Sequence, residues 1–366
     1  MQQHKKFFSF IIPIYNAEKH IANCLDSLLN QDIDQAEYEI LCINDGSTDA
    51  SLEILQNYAA TYNNIVIINK SNEGVAIARN TGLNLAQGDY IWFIDADDWL
   101  TRDCLGTIKL QILKNVPSVV KIQFDWIKAQ WRIDECIENV LQKEKVDFFI
   151  EDPYIREDII GVWSFIIKKE IILNNKHKFF DNLHYGEDVL FIRELFDIMR
   201  LESSVCESKH RVLYLKNDIF YYYRQHDDSA MHNRWIKNKT KYMDALLKLA
   251  HIDLTHMLDT TKPSWYTKQY EELYYDRMYN YMIYWLPSSD FKLLDHLRFL
   301  KEEGLYPKKV SREIRKKLIQ SNGVISKIKL IYKFYAFQFV WLYPIYYKQM
   351  KSKYINAAQT EVQNDL

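Results

Sequence analysis

The chain has 366 residues, 48% hydrophobic and 26% charged, an ordinary balance for a folded protein with room for about two domains. Nine glycines and seven prolines are too few for long linkers or low-complexity arms. The net charge of −2 hides an asymmetry: from Ile314 to Thr360 there is no Asp or Glu but a charge of +9, leaving about −11 on the remainder. No nucleic-acid partner is expected. Five scattered cysteines (Cys24, Cys42, Cys104, Cys136 and Cys206) form neither a disulfide frame nor a zinc pattern and read as reduced core residues. The start, Met1 to Lys6, leads into a strand-like segment without a signal-peptide pattern, so a cytoplasmic location is expected.

In chain order, the first hundred residues alternate strand and helix. Phe7–Ile14 is apolar and β-branched and ends at Pro13-Ile14-Tyr15-Asn16. Glu18 to Asn30 follows with Ile21, Leu25, Leu28 and Leu29 at helical spacing. Glu39–Ile43 reads as a second strand closing on Asn44-Asp45-Gly46-Ser47-Thr48-Asp49, and Ser51 to Tyr62 as the next helix. Ile65–Ile68 is a third strand, Asn72-Glu73-Gly74 opens a helix through Ala86, and Tyr90–Ile94 is a fourth strand. Short continuous apolar strands alternating with helices predict an α/β fold, a parallel sheet covered on both faces.

The fourth strand stops at Asp95-Ala96-Asp97-Asp98. Three carboxylates in four positions repel one another and resist burial, so the cluster makes sense where a divalent cation neutralises it. Hard oxygen ligands at the carboxyl end of a parallel strand suit Mg²⁺ or Mn²⁺ holding a substrate's phosphates. The competing reading is a solvated acidic turn. Asn16, Asp45 and Asp49 end neighbouring strands on the same edge, although Asn16 and Asp49 also suit local turn and helix capping. A dinucleotide turn and a Gly-x-x-x-x-Gly-Lys loop are both missing, so a nucleotide here would be held through metal and carboxylates.

The motifs Phe10 to Asn16, Asn44 to Asp49, Asn72 to Gly82 and Ile94 to Asp98, in this order and spacing, resemble the family 2 inverting glycosyltransferases of bacterial surface-polysaccharide synthesis. The close match covers about residues 7–105 and a looser one reaches about residue 235. The resemblance implies a GT-A fold, a Rossmann-like and mostly parallel sheet with helices on both faces. It also implies a UDP-sugar as the usual donor, and Mn²⁺ or Mg²⁺. Pro13, Tyr15 and Asn16 would frame the nucleotide pocket, Asp45 would take the base edge, and Arg79 would approach the donor diphosphate or its sugar. Within Asp95-Ala96-Asp97, Asp95 would face ribose or sugar and Asp97 the metal, with Asp98 assisting. For Arg79 the rival is a plain salt bridge across the helix.

Inverting transfer needs a general base for the acceptor hydroxyl and positive charge for the departing diphosphate. The family's Glu-Asp motif matches Glu187-Asp188, after the turn at Gly186 and before an amphipathic run from Val189 to Phe196. Asp188 is assigned the base, with Glu187 as orienter or acceptor contact. An acidic first helical turn favoured by the helix dipole is the alternative. Asp218 to Ser229 reads as a strand with aromatic alternation ending in Arg224-x-His226, which resembles the family's closing segment. Arg224 is therefore expected near the diphosphate and His226 near the metal, against a surface strand end with no role. Trp163 matches a position often aromatic near the acceptor, but a core Trp fits equally.

Processive members carry Gln-x-x-Arg-Trp and membrane spans. Here Met231 stands where Gln belongs, ahead of Arg234-Trp235, and no run of 18 apolar residues exists, so single addition is expected. The expected division is a GT-A domain over residues 1–235, with a donor half to about 115 and an acceptor half from about 116. A mainly helical region follows over residues 236–366. Phe334 to Tyr347, flanked by lysines, suits a helix lying on a membrane surface, so residues 325–353 are read as a peripheral inner-membrane contact beside the rival of a core helix or an oligomer contact. Transfer of one sugar to a glycan or lipid-linked acceptor is the leading reading. The alternative is a catalytically degenerate glycan-binding or scaffold protein on the same fold.

Overall fold

The strand and helix alternation builds one eight-stranded sheet with helices on both faces and a smaller three-stranded sheet beside it. The computed structural model describes residues 5–128, 147–151, 161–181, 183, 185–205, 210–216, 218–225 and scattered positions from 245 to 273. The strands are β1 (Phe8–Ile14), β2 (Tyr38–Asp45), β3 (Ile65–Lys70), β4 (Tyr90–Phe93), β5 (Trp99–Leu100), β6 (Val119–Ile122), β7 (Phe124–Lys128), β8 (Asp147–Glu151), β9 (Phe165–Lys168), β10 (Val212–Lys216) and β11 (Tyr221–Gln225). The helices are α1 (Ile21–Leu29), α2 (Ser51–Thr61), α3 (Val75–Leu85), α4 (Leu105–Asn115), α5 (Lys169–Asn174) and α6 (Glu187–Val205).

The large sheet runs β3-β2-β1-β4-β9-β6-β10-β8, and the small one β5-β11-β7. The four donor-side strands β3, β2, β1 and β4 are parallel, as their unbroken apolar runs require. Antiparallel pairing enters at β9, which lies between β4 and β6. Pro13 falls inside β1, a central strand, where a missing N–H is usually excluded. The β4 ladder ends at Ile11↔Phe93, so the proline lies past the last residue paired on that side.

Two apolar layers sandwich the sheet. Phe8, Phe10, Ile12 and Ile14 of β1 face α1, α2 and α4 through Ile21, Cys24, Leu25, Leu28, Leu55, Leu105 and Ile108. Ile11 points the other way, among Ala76 and Ala78 of α3 and Phe191, Ile192 and Leu195 of α6. Cys24, Cys42 and Cys104 are buried free thiols, as expected of core residues. Element ends differ from the sequence reading by a few residues. β2 continues to Asp45, so that carboxylate is the last strand residue, and the acidic pair Glu187-Asp188 forms the first turn of α6 instead of preceding it.

By its internal contacts the chain divides into residues 1–245 and 246–366. In the second unit the described residues are largely helical, with the Tyr266 hydroxyl 2.8 Å from His256 Nδ1 and the His256 ring stacked on Tyr270. Among the described residues no helix is long and apolar enough to cross a membrane. The expected surface helix at 325–353 and the Met231–Trp235 segment lie outside the described residues.

Gly82 lets α3 lie against β1: a Cβ there would come 2.4 Å from Ile11 Cγ2. Gly82→Ala gains about 1 kcal/mol of helix propensity but overpacks a filled core at a cost of about 1–3 kcal/mol. A net loss is expected, read as a lower urea midpoint with an unchanged m-value.

Candidate active site

Parallel sheets collect functional groups beyond the carboxyl ends of their strands. Here β4 delivers Asp95, Asp97 and Asp98, while α3 brings Arg79 across from the neighbouring layer. α6 starts opposite, after Gly186 turns the chain with φ +77°, and presents Glu187 and Asp188 from its first turn. Arg79 joins the two acidic groups. Its Nη1 donates to Glu187 Oε1 at 2.8 Å and its Nη2 to Asp95 Oδ1 at 2.9 Å, with the guanidinium 5.4 Å above the Phe179 ring. The side chain is 4% exposed. Burial alone would weaken its hold on the proton, but Asp95, Glu187 and Asp188 outweigh that and keep it charged.

The acids divide by environment. Asp188 Oδ1 accepts the Val189 N–H at 2.8 Å. Burial and then the Glu187 charge push its pKa up to about 7, with Arg79 pulling the other way. Asp95, 27% exposed, is raised by burial and held back by Arg79. Asp98 is buried and pushed well above the usual carboxylate range by burial and by the Asp97 and Asp95 charges. Both Asp98 oxygens are engaged: Oδ2 accepts the Tyr221 hydroxyl at 2.6 Å and Oδ1 the Arg224 N–H at 2.8 Å. Arg224 Nε donates to the Asp97 carbonyl at 2.9 Å, and its guanidinium lies 4.7 Å over Trp99. Arg224 is thus brought to the cluster, while His226 lies outside the described residues.

The strand-end residues of β1 and β2 are placed in turn-building contacts. Asp45 Oδ1 accepts Lys70 Nζ at 2.7 Å and the Glu73 N–H at 3.0 Å, and Oδ2 accepts the Gly74 N–H at 2.8 Å. It therefore shapes the β3–α3 turn, with Oδ2 the oxygen left with more capacity for another donor. Asn16, in the left-handed region at φ 51°, accepts the Thr48 N–H on Oδ1, and its own N–H donates to Ser47. Asp49 accepts the N–H groups of Glu18 and Ser51, which ties the same two loops. The capping alternative describes what these two side chains do. Pro13 and Tyr15 stand at this edge, Tyr15 54% exposed, and Ala96 is buried between the acids. Trp163 is 3% exposed and stacks on Tyr221 at 4.8 Å, the setting of a core residue. Sequence reading missed Tyr221, whose alternation with Tyr222 and Tyr223 looks like ordinary strand patterning.

Arg79 Nε, Arg224 Nη2 and Trp99 Nε1 are buried and meet no acceptor among the described residues. Buried donors of that kind normally have partners, so they suit an anionic group brought in from outside. Five carboxylates around two guanidiniums leave an excess of negative charge that a hard divalent cation would relieve, so the donor set fits such an ion. Asp97 and Asp95 are the residues of this set that could hold it together with a bound ligand. Among the described residues no group of three or more His, Cys, Asp or Glu is arranged to hold a metal by itself.

Residues 9–167 match the model of glycosyl transferase family 2. Over 99 residues the chain is 43% identical to the poly(ribitol-phosphate) beta-glucosyltransferase of Bacillus spizizenii, which is 26% of this chain and 16% of that protein. Over 237 residues it is 28% identical to the uncharacterized glycosyltransferase YibD of Escherichia coli, covering 63% of this chain and 65% of that protein. The chain thus spans between about a sixth and about two thirds of these relatives. The crystal structure of Staphylococcus aureus TarS 1-349 in complex with UDP-GlcNAc superposes with a TM-score of 0.60 at 18% identity, covering 90% of this chain and 89% of that one. Sheet order, helix layers and this likeness define a GT-A fold. Within it, residues 9–167 are the part similar to the family 2 glycosyltransferases.

Arg79→Met removes the cation that bridges Asp95 and Glu187. Breaking a buried ion pair costs about 3–5 kcal/mol, and the low end is expected because Asp95 keeps some solvent. A carboxyl raised in the folded state is unstrained while protonated and costs stability as pH rises through its folded pKa. The loss, measured by urea denaturation, should therefore be larger at pH 8 than at pH 5.

Proposed function

We propose that this protein is a metal-dependent inverting glycosyltransferase that moves one sugar from a nucleotide-sugar, with UDP-sugars first among donors, to a glycan or lipid-linked acceptor in cell-surface polysaccharide synthesis. The observation that carries the reading is the buried bridge Asp95–Arg79–Glu187, which sets a donor-side acid and an acceptor-side acid around one guanidinium, with Asp188 beside it. The setting follows the relatives, several of which are named for poly(ribitol-phosphate) glycosylation, and the donor class follows TarS, solved with UDP-GlcNAc. The transferase domain is read as residues 1–235, with residues 236–366 accessory to it.

In this reading Asp97 and Asp95 would hold Mn²⁺ or Mg²⁺, with His226 a further candidate ligand. A divalent ion so placed supplies Lewis-acid neutralisation of the leaving diphosphate. Arg224 adds positive charge beside it, and Arg79 orients Asp95 toward the sugar. Tyr15 and Pro13, with Asn16 and Asp45, whose Oδ2 keeps capacity beyond the Gly74 N–H, border the nucleotide. The acceptor hydroxyl gives its proton to Asp188 as its oxygen bonds to the anomeric carbon. The bond from that carbon to the diphosphate oxygen breaks on the opposite face, and its electron pair leaves with the nucleotide.

Two acids compete for the base, and their contacts separate them. Glu187 is tied up in the ion pair with Arg79 at 2.8 Å, whereas Asp188 lies outside that pair and has a pKa lifted to about 7, near the pH where a base works best. Glu187 then orients the acceptor with Arg79, and Trp163 supports that side from the core.

Incubation with a panel of UDP- and GDP-sugars plus Mn²⁺, scored by nucleotide release and product stereochemistry, tests the assignment. Asp188→Asn should lower transfer by about 10²–10⁴-fold while leaving UDP affinity unchanged. Because the base must be ionised, kcat/KM should rise with pH through about 7 and level above it. Retained activity in Asp188→Asn would place the base elsewhere, and release of a retained anomer would contradict single displacement.

A further inference from the structure

β11 grips the acidic turn at every residue but Ala96. The Asp95 N–H donates to the Tyr221 hydroxyl oxygen at 3.3 Å, and the same hydroxyl donates to Asp98 Oδ2 at 2.6 Å. The Arg224 N–H takes the other Asp98 oxygen at 2.8 Å, and Arg224 Nε takes the Asp97 carbonyl at 2.9 Å. The Tyr221 ring is held in turn. It is fully buried and stacks on Trp163 at 4.8 Å with 13° between planes. The Trp163 carbonyl accepts Trp92 Nε1 at 2.8 Å, and Trp92 belongs to β4, the strand that ends in the acids. The contacts close a ring from β4 through the acidic turn, Tyr221 and Trp163 back to β4.

Three neighbouring carboxylates tend to splay apart, and a short turn has no ladder to stop them. With both oxygens hydrogen-bonded from β11, Asp98 ties the trio to that strand. Its tie to Tyr221 sets the backbone from which Asp95 and Asp97 project. Side chains held in place before a ligand arrives need less ordering when it binds.

We propose that Tyr221, acting through Asp98, is a positioning residue that holds Asp95 and Asp97 ready for a divalent cation and the diphosphate of the donor. The proposal rests on the metal-dependent donor reading above. Tyr221 touches neither cation nor donor; it fixes the turn that does. Asp98, expected from the resemblance to assist at the metal, serves here as the anchor of that turn.

Tyr221→Phe keeps the stacked ring and removes only the hydroxyl. Calorimetric titration of UDP into the full chain over a series of Mn²⁺ concentrations should show a half-maximal Mn²⁺ requirement raised about tenfold, which is about 1.4 kcal/mol of coupling. The Mn²⁺ electron paramagnetic resonance spectrum of the UDP complex should broaden. Tyr222→Phe, its neighbour on β11 that stacks on Trp99 instead, controls for loss of strand packing and should keep the wild-type Mn²⁺ requirement. Asp98→Asn leaves one acceptor oxygen for two donors, the Tyr221 hydroxyl and the Arg224 N–H, and so breaks the clamp on one side. It should move the requirement in the same direction and replaces Tyr221→Phe if that variant does not fold. A wild type that responds to Mn²⁺ beside a Tyr221→Phe or Asp98→Asn variant with the same requirement would overturn the clamp alone. UDP binding by the wild type that ignores Mn²⁺ would overturn the donor reading and the clamp's purpose together.

Discussion

One buried guanidinium sets the relation between two acidic groups that arrive from opposite sides. Arg79 is carried by α3, Asp95 by the end of β4, and Glu187 by the first turn of α6, 108 positions from Arg79 in sequence. A cation between two carboxylates in a poorly solvated pocket is held strongly, because removal of any member leaves a buried charge without compensation. The same bridge leaves Asp188 outside the pairing. Its carboxyl is close enough to feel Glu187 and buried enough to resist ionisation, so its proton affinity rises toward neutrality. A structural ion pair and a base of altered strength thus come from the same local arrangement of charge.

The rest of the fold can be seen as the support this arrangement requires. The parallel strands β3, β2, β1 and β4 align their carboxyl ends, which puts Asp45, Asn16 and the Asp95–Asp98 turn on one edge. β9 then enters antiparallel to β4, and the chain just before it forms the short 3₁₀ turn Val162–Ser164 bearing Trp163. From there the aromatic cluster of Trp163, Tyr221, Tyr223 and Phe124 connects the large sheet to the small one. The small sheet is what brings β11 back to the acids.

Much of this was legible in the sequence because the donor half is local. Its strands are continuous apolar runs, its helices have clear periodicity, and each motif lies at a strand end. Asp95 and Asp97 could be singled out from charge crowding at a strand end, and the Glu187-Asp188 pair from its resemblance to the family's Glu-Asp motif. Roles that depend on partners far along the chain could not. Nothing around residue 79 tells whether its guanidinium faces a ligand or two acids, since Glu187 lies far downstream. Asn16 and Asp49 sit at strand ends like ligand groups, yet their hydrogen bonds go to each other's loops, a choice set by loop spacing. Tyr221 is one tyrosine of three in a row, and only the register of β11 against β5 and β7 decides that its hydroxyl reaches Asp98. Trp163 was ambiguous for the same reason, and tertiary packing puts it in the core.

The central claim is that the acids after β4 form a nucleotide site completed by a divalent cation. Its most direct test is calorimetric titration of UDP into the wild-type chain and into Asp97→Ala, each with Mn²⁺ and with chelator. A site of this kind requires that Mn²⁺ strengthen UDP binding to the wild type at least tenfold and that Asp97→Ala lose most of that gain, a difference of about 1.4 kcal/mol or more. Equal UDP affinity with Mn²⁺ and chelator, or an Asp97→Ala protein that responds to Mn²⁺ as the wild type does, would contradict it.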